Sequence, residues 1–204
     1  ELPLNFLLPG ISMKRVSQLT ALALLMGLAA ASTSAAETMP TLTLSTLQQH
    51  NGVAIDTRLS AFYNGWPQGA NGPQGHEPQA LNLAAGWLSA MTDEQLGAWA
   101  KLHNLQASTP IALYGDADDN AKVAARLKAA GFTHLSSLDD ALSQAERLQK
   151  LPHFEQLVYP QWLHDLQQDK PVTAAPAGHW KVFEAAWGAP KFYLLSHIPG
   201  AGYI

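Results

Sequence analysis

The sequence has no cysteine among its 204 residues, only 14% charged residues and no surplus of basic groups. Lacking cysteine, it has no disulfide framework, no thiolate-bound zinc and no cysteine nucleophile within these residues. Lysine and arginine number 12 against 16 acids, a formal charge of −4; nothing here neutralises a phosphate backbone, and nucleic acid is not expected as a partner. Also missing are the G-x-S-x-G, Walker, G-x-G-x-x-G and H-E-x-x-H patterns, and no two histidines stand four apart. Neither a metal nor a cofactor is therefore expected. Long apolar runs are lacking too: the densest, from Leu19 to about Ala31, is shorter than the ~20 residues that span a bilayer. No stable membrane anchor follows from it.

What is present is apolar content of 47%, enough for one sizeable core in a chain of this length. Met13-Lys14-Arg15 precedes that short apolar run, which closes on Ser34-Ala35-Ala36. A charged start, a short apolar centre and small residues are the three parts of a secretory signal peptide. The reading is a signal over 13–36, cleavage after Ala36, a periplasmic destination, and a non-native upstream segment over 1–12. Absence of cysteine suits an oxidising compartment without proving one.

Beyond the signal, Val53-Ala54-Ile55 reads as a buried strand emerging into Asp56-Thr57-Arg58, and Asn64 to Pro78 as a long Gly/Pro/Asn-rich loop. Thr92-Asp93-Glu94-Gln95 is a capping box that opens a helix with Leu96, Trp99, Ala100 and His103 on one face. Ile111–Tyr114 reads as the next strand. A second helix runs from about Asn120 to Ala130 with Gly131 as its cap, and a short strand lies near His134 to Leu138. Strands alternating with helices imply a mostly parallel central sheet with helices on both faces, and a site at the carboxyl ends of the strands, on the loops after Ile55 and Tyr114.

One internal repeat stands out. Gly75-His76-Glu77-Pro78-Gln79-Ala80-Leu81-Asn82-Leu83 matches Ser196-His197-Ile198-Pro199-Gly200-Ala201-Gly202-Tyr203-Ile204, each copy following a similar apolar stretch. With Asp56 and Arg58 as a D-x-R after an early strand, and His197-Ile198-Pro199-Gly200-Ala201 as a G-H-I-P-G-A type string, the sequence resembles the rhodanese (thiosulfate sulfurtransferase) family. The resemblance covers nearly all of 42–150 as one degenerate module and 180–204 as the beginning of another. It implies a rhodanese-like α/β fold, with a module at 37–150, a linker at 151–179 and the truncated start of a second module at 180–204. Pro171 and Pro176 mark the linker, where proteolysis is expected between about Gln167 and Trp180. The segment Phe192 to Leu195 reads as a strand left without its later partners.

Rhodanese chemistry needs a cysteine that attacks the outer sulfur of thiosulfate and holds it as a persulfide. The resemblance places it in a C-x-x-G-x-R loop, where this chain has Gly115-Asp116-Ala117-Asp118-Asp119-Asn120. Gly115 takes the cysteine position, Asp118 the glycine position and Asn120 the arginine position, so the first module is read as inactive, with no catalytic residue. Its carboxylates would repel an anionic donor, and a family Leu-Asp-Gly-Gly turn stands here as Leu138-Asp139-Asp140-Ala141. Asp116, Asp118 and Asn120 also match the start of a calcium loop, but Ala121 and Leu127 occupy its required glycine and glutamate positions. The simpler reading is that Asp119 or Asn120 caps the following helix and the acids complement its dipole.

Asp56 and Arg58 are read as structural groups holding the site's edge; His76 and His197, with Pro78, Pro199 and Gly200, as loop-fixing motif residues. The expected function is the N-terminal portion of an exported sulfurtransferase. Its persulfide cysteine and thiosulfate-like donor would belong to downstream rhodanese modules of the same chain, which are its expected partners. A non-catalytic protein-binding module is the alternative. A phosphatase of related fold would need a cysteine and an arginine around Gly115 to Asn120, and neither is present.

Overall fold

The computed structural model describes residues 39–204; the expected non-native segment 1–12, signal 13–36 and cleavage after Ala36 lie outside the described residues. The elements run β1 (Thr41–Leu42), α1 (Leu44–Gln49), β2 (Val53–Asp56), α2 (Ser60–Asn64), β3 (Leu81–Asn82), α3 (Asp93–Leu102), β4 (Ile111–Tyr114), α4 (Ala117–Ala129) and β5 (Leu135–Leu138), then α5 (Pro160–Gln167), β6 (Phe183–Glu184), α6 (Lys191–Leu195) and β7 (Gly202–Tyr203). The first five strands form one parallel sheet in the order β1-β5-β4-β2-β3. Parallel neighbours require crossovers, and the helices supply them.

Strand alternation divides the core into two layers. Ile55, Ile111 and Leu113 face one side, against Leu96 and Ala100 of α3 and Val123 and Leu127 of α4. Ala54, Ala112 and Tyr114 face the other, against Leu44 and Leu47 of α1. Covered on both faces and flanked by β2 and β5, β4 is buried along its whole length, as the uninterrupted Ile-Ala-Leu-Tyr run anticipates.

The Thr92 capping box forms as its spacing predicts: Gln95 N–H donates to the Thr92 hydroxyl at 3.2 Å, and Thr92 N–H to Gln95 Oε1 at 2.8 Å. By contrast, α4 starts three residues before the expected Asn120. Two residues suffice for the turn after β4, so Asp118 and Asp119 lie in the first helical turn, where they complement the dipole. The cap is Asp116, without a side-chain hydrogen bond, and neither Asp119 nor Asn120 caps. At the other end Gly131 N–H donates to Lys128 O and Phe132 N–H to Leu127 O, a Schellman closure.

Two further expectations change. Phe192 to Leu195 lies in the helix α6, not in a strand. It is the crossover between β6 and β7, which pair in parallel as a separate two-stranded sheet and so cannot be joined by a tight turn. The first half of 151–179 is also more than a connector. It contains a 3-10 turn (Phe154–Gln156) and α5, whose Trp162 is buried with Ala61 and Trp66. No helix among the described residues is long and apolar enough to cross a membrane.

Candidate functional site

The loops after β2 and β4 meet because the two strands are paired in register, Asp56 opposite Tyr114. Asp56, Thr57 and Arg58 are all buried there. The Arg58 guanidinium donates to Asp56 through Nε at 3.0 Å and Nη2 at 2.6 Å, and Nη2 also donates to the Gly75 carbonyl at 2.7 Å. Asp56 Oδ1 accepts from the Arg58 amide as well. The two charges pair with each other and tie β2 to the loop that carries the repeat motif, while Arg58 Nη1 is buried without a hydrogen-bond partner. A buried pair held in this way is expensive to break at one end.

Asn82 stitches the same loop from β3. Its Nδ2 donates to the carbonyls of Asp56 and Arg58, each at 3.0 Å, and its Oδ1 accepts from the Ser60 hydroxyl at 2.6 Å. The repeat aligns Asn82 with Tyr203, but no local signature announces these bonds.

Gly115 sits directly after β4 with φ +140°, a conformation that side-chain-bearing residues rarely adopt. A Cβ at this position would overlap the Thr57 hydroxyl and come within 3.3 Å of Arg58 Cγ. Thr57 is itself fixed, its hydroxyl bridging the Tyr114 carbonyl at 3.1 Å and Asn120 Oδ1 at 2.8 Å. The cysteine position of the motif thus has neither a thiol nor room for one. Asp116, Ala117 and Asp118 are exposed, and Asp119 pairs with Lys122 at 3.1 Å. The stretch 115–120 is a two-residue turn and the start of a helix, with no open loop that could cradle an anion or follow a calcium-loop path.

The repeat motif builds the neighbouring wall. The His76 ring stacks on Tyr63 at 3.8 Å and donates from Nδ1 to the Tyr63 carbonyl at 2.7 Å, while the His76 and Gln149 backbones exchange two hydrogen bonds. Glu77, fully buried, accepts from Arg147 Nε at 2.7 Å, Arg147 Nη2 at 2.9 Å and the Leu142 amide at 2.6 Å. The Glu77 carboxylate holds the Arg147 guanidinium above its ordinary pKa. The Glu77 amide donates to the Tyr114 hydroxyl at 3.1 Å. Burial, and then the nearby Asp56 carboxylate, push Tyr114 well above its ordinary value. Asp140 adds to this wall, accepting the Leu44 amide at 2.8 Å and offering its carbonyl to Arg147 at 3.0 Å. Arg147 and the role of Glu77 were not readable from sequence: the partners lie 70 residues apart.

His197 follows α6, on the loop that leads into β7. It stacks on Tyr193 at 4.1 Å and donates from Nδ1 to the Tyr193 carbonyl at 2.9 Å. Tyr63 and Tyr193 correspond further, their hydroxyls donating to the carbonyls of Ala80 and Ala201 at 2.7 and 2.8 Å. Pro199 offers its carbonyl to Gln167 Nε2 at 2.8 Å. Pro78 and Gly200 flank the two motif loops, Pro78 partly buried and Gly200 exposed.

A parallel β1-β5-β4-β2-β3 sheet, a buried D-x-R after β2 and a tight turn after β4 define a module of rhodanese-like α/β fold, in which the turn holds no nucleophile. In particular, the chain is closely similar to the thiosulfate sulfurtransferase YnjE of Escherichia coli (strain K12), at 69% identity over 192 residues, 94% of this chain and 44% of the relative. The crystal structure of YnjE matches with a TM-score of 0.72 and 68% identity, over 82% of this chain and 40% of that one. A variant of EanB in complex with hercynine matches with a TM-score of 0.70 at 24% identity, over 83% and 41%, a likeness of fold alone. No protein-family model matches the chain. The chain spans less than half the length of these relatives.

Proposed function

We propose that this chain is the non-catalytic, N-terminal portion of an exported rhodanese-type sulfurtransferase, and that its module shapes or covers a catalytic site carried by further rhodanese modules of the same protein. The observation that carries this reading is the 69% identity to a thiosulfate sulfurtransferase. In the reaction, a cysteine thiolate outside residues 1–204 attacks the outer sulfur of thiosulfate. The S–S bond of thiosulfate breaks, sulfite leaves with its electron pair, and the resulting persulfide passes its outer sulfur to an acceptor thiolate or cyanide. Within residues 39–204 the closed turn at Gly115 gives no place for that step, and what these residues supply is a scaffold. The recurrence of the Tyr–His–Ala contacts in 180–204 supports reading that segment as the opening of a second module.

Two measurements test the proposal. The chain alone should form thiocyanate from thiosulfate and cyanide no faster than buffer. A chimera in which residues 39–204 replace the matching segment of YnjE should still form it; a chimera reduced to buffer background overturns the scaffold role. For export, the protein recovered from a periplasmic fraction should begin at Glu37 by intact mass. A full-length chain retained in the cytosol overturns that part.

A further inference from the structure

The two copies of the repeat reach their histidines by different routes. From Tyr193 the chain arrives at His197 through residues 194–196, whereas from Tyr63 it travels through residues 64–75 before His76. The extra length is spent on contacts with one segment. Asn64 offers its carbonyl to the Leu151 amide at 2.8 Å. Gly65, at φ +143°, lies so close to Phe154 that a Cβ there would come within 2.7 Å of the ring. Trp66, 1% exposed, meets Phe154 and Tyr159 edge-on at 5.6 Å and Trp162 at 6.2 Å, and its Nε1 donates to the Leu157 carbonyl at 3.0 Å. At the base of the loop Gln74 Oε1 accepts from Lys150 at 2.6 Å.

The segment so held continues to the second copy. Trp162 Nε1 donates to the Thr173 carbonyl at 2.8 Å, folding the chain after α5 back upon the helix. Gln167 at the end of α5 donates to Pro199, inside the motif loop of the second copy. An aromatic cluster of this kind, with its indole N–H groups satisfied, is a packed contact and not a passing one.

We infer that residues 64–75 are a docking surface whose occupant is residues 151–173 of the same chain, and that this docked strap positions the segment 180–204. The hinge between the two copies is then confined to about 174–180, the stretch beyond the Thr173 contact. The bond from Gln167 to Pro199 carries that position past the hinge, and Trp66, a residue of the first copy's loop, anchors the strap that presents it.

The test is hydrogen exchange, read by mass spectrometry on the full chain, of Trp66→Ala, Trp66→Phe and Phe154→Ala. In both alanine variants, exchange across 154–173 should rise roughly tenfold or more while amides of β2 and β4 stay within about twofold of the parent. Trp66→Phe, which keeps the ring packing and loses the bond to Leu157, should fall between parent and Trp66→Ala. Unchanged protection of 154–173 in both alanine variants overturns the inference. So does loosening of β2 and β4 in step with the strap, since the loop would then be ordinary core. Should Trp66→Ala fail to fold, Phe154→Ala, whose side chain lies on the strap, gives the same two readings.

Discussion

Residues 53–82 and 183–203 make the same small unit, strand, short helix, parallel strand, in two different settings. In each, a tyrosine hydroxyl reaches an alanine carbonyl and a histidine stacks on that tyrosine. In each, the second residue of the last strand serves the loop after the first: Asn82 bonds the carbonyls of Asp56 and Arg58, and the Tyr203 hydroxyl donates to the Gly188 carbonyl at 2.7 Å. The surroundings differ. β2 is bordered by β4 and covered on both faces, whereas Phe183, Trp187, Phe192, Leu194 and Leu195 are all exposed. Shape in this unit is a local property set by three or four hydrogen bonds; burial, and with it most of the stability, comes from neighbours.

The strongest way to break that comparison is at Glu77, where the second copy has Ile198. Arg147→Met leaves a fully buried carboxylate unpaired and should cost about 3–5 kcal/mol in urea unfolding. Adding Glu77→Ile should recover most of the loss, because no buried charge is then left without its partner. Equal stability of the single and double variants would show that the pair does not matter. Next in size, Gly115→Cys combines a strained φ with displacement of Thr57 and should lower stability by about 1–3 kcal/mol. The same variant should stay at buffer background in a thiocyanate assay.

A smaller effect sharpens the comparison directly. Tyr63→Phe removes a hydrogen bond inside the packed copy and should cost about 1 kcal/mol, whereas Tyr193→Phe should leave the global unfolding midpoint unchanged and register only in local exchange of α6 and β7. Smallest at neutral pH is the contribution of Tyr114, whose hydroxyl accepts from the Glu77 amide. Its pKa is raised in the folded state by burial, so above its ordinary value of about 10 the unfolded chain loses a proton that the native chain keeps. That stability is intact below pH ~10 and declines as pH rises beyond it. Alkaline unfolding of Tyr114→Phe should show a flatter pH dependence than the parent.

Much of the fold was legible because its signals are local. The capping box at Thr92, the continuous apolar run of β4 and the glycine after α4 each lie within a few residues of what they specify. β1, α2 and β3 were not readable, being two to five residues long and held by pairing and not by pattern. The start of α4 was misplaced because aspartates near a strand end suit a loop as well as a first helical turn. Phe192 to Leu195 fits a strand by composition, and only the parallel pairing of β6 and β7 makes it a crossover helix. At the candidate site, the missing thiol was plain from sequence. The closure by Thr57 and Asn120 was not, because it depends on the register of β2 against β4.

That closure also bears on how such a site changes over generations. A single codon change that put a thiol at 115 would meet the Thr57 hydroxyl and a backbone suited to glycine, so the first step yields a less stable protein with no new chemistry. Relief needs a second change at Thr57, and a useful anion site needs others among the aspartates. No single step along that route is rewarded, and drift at this turn is expected to move among non-catalytic forms and not toward a working sulfur carrier.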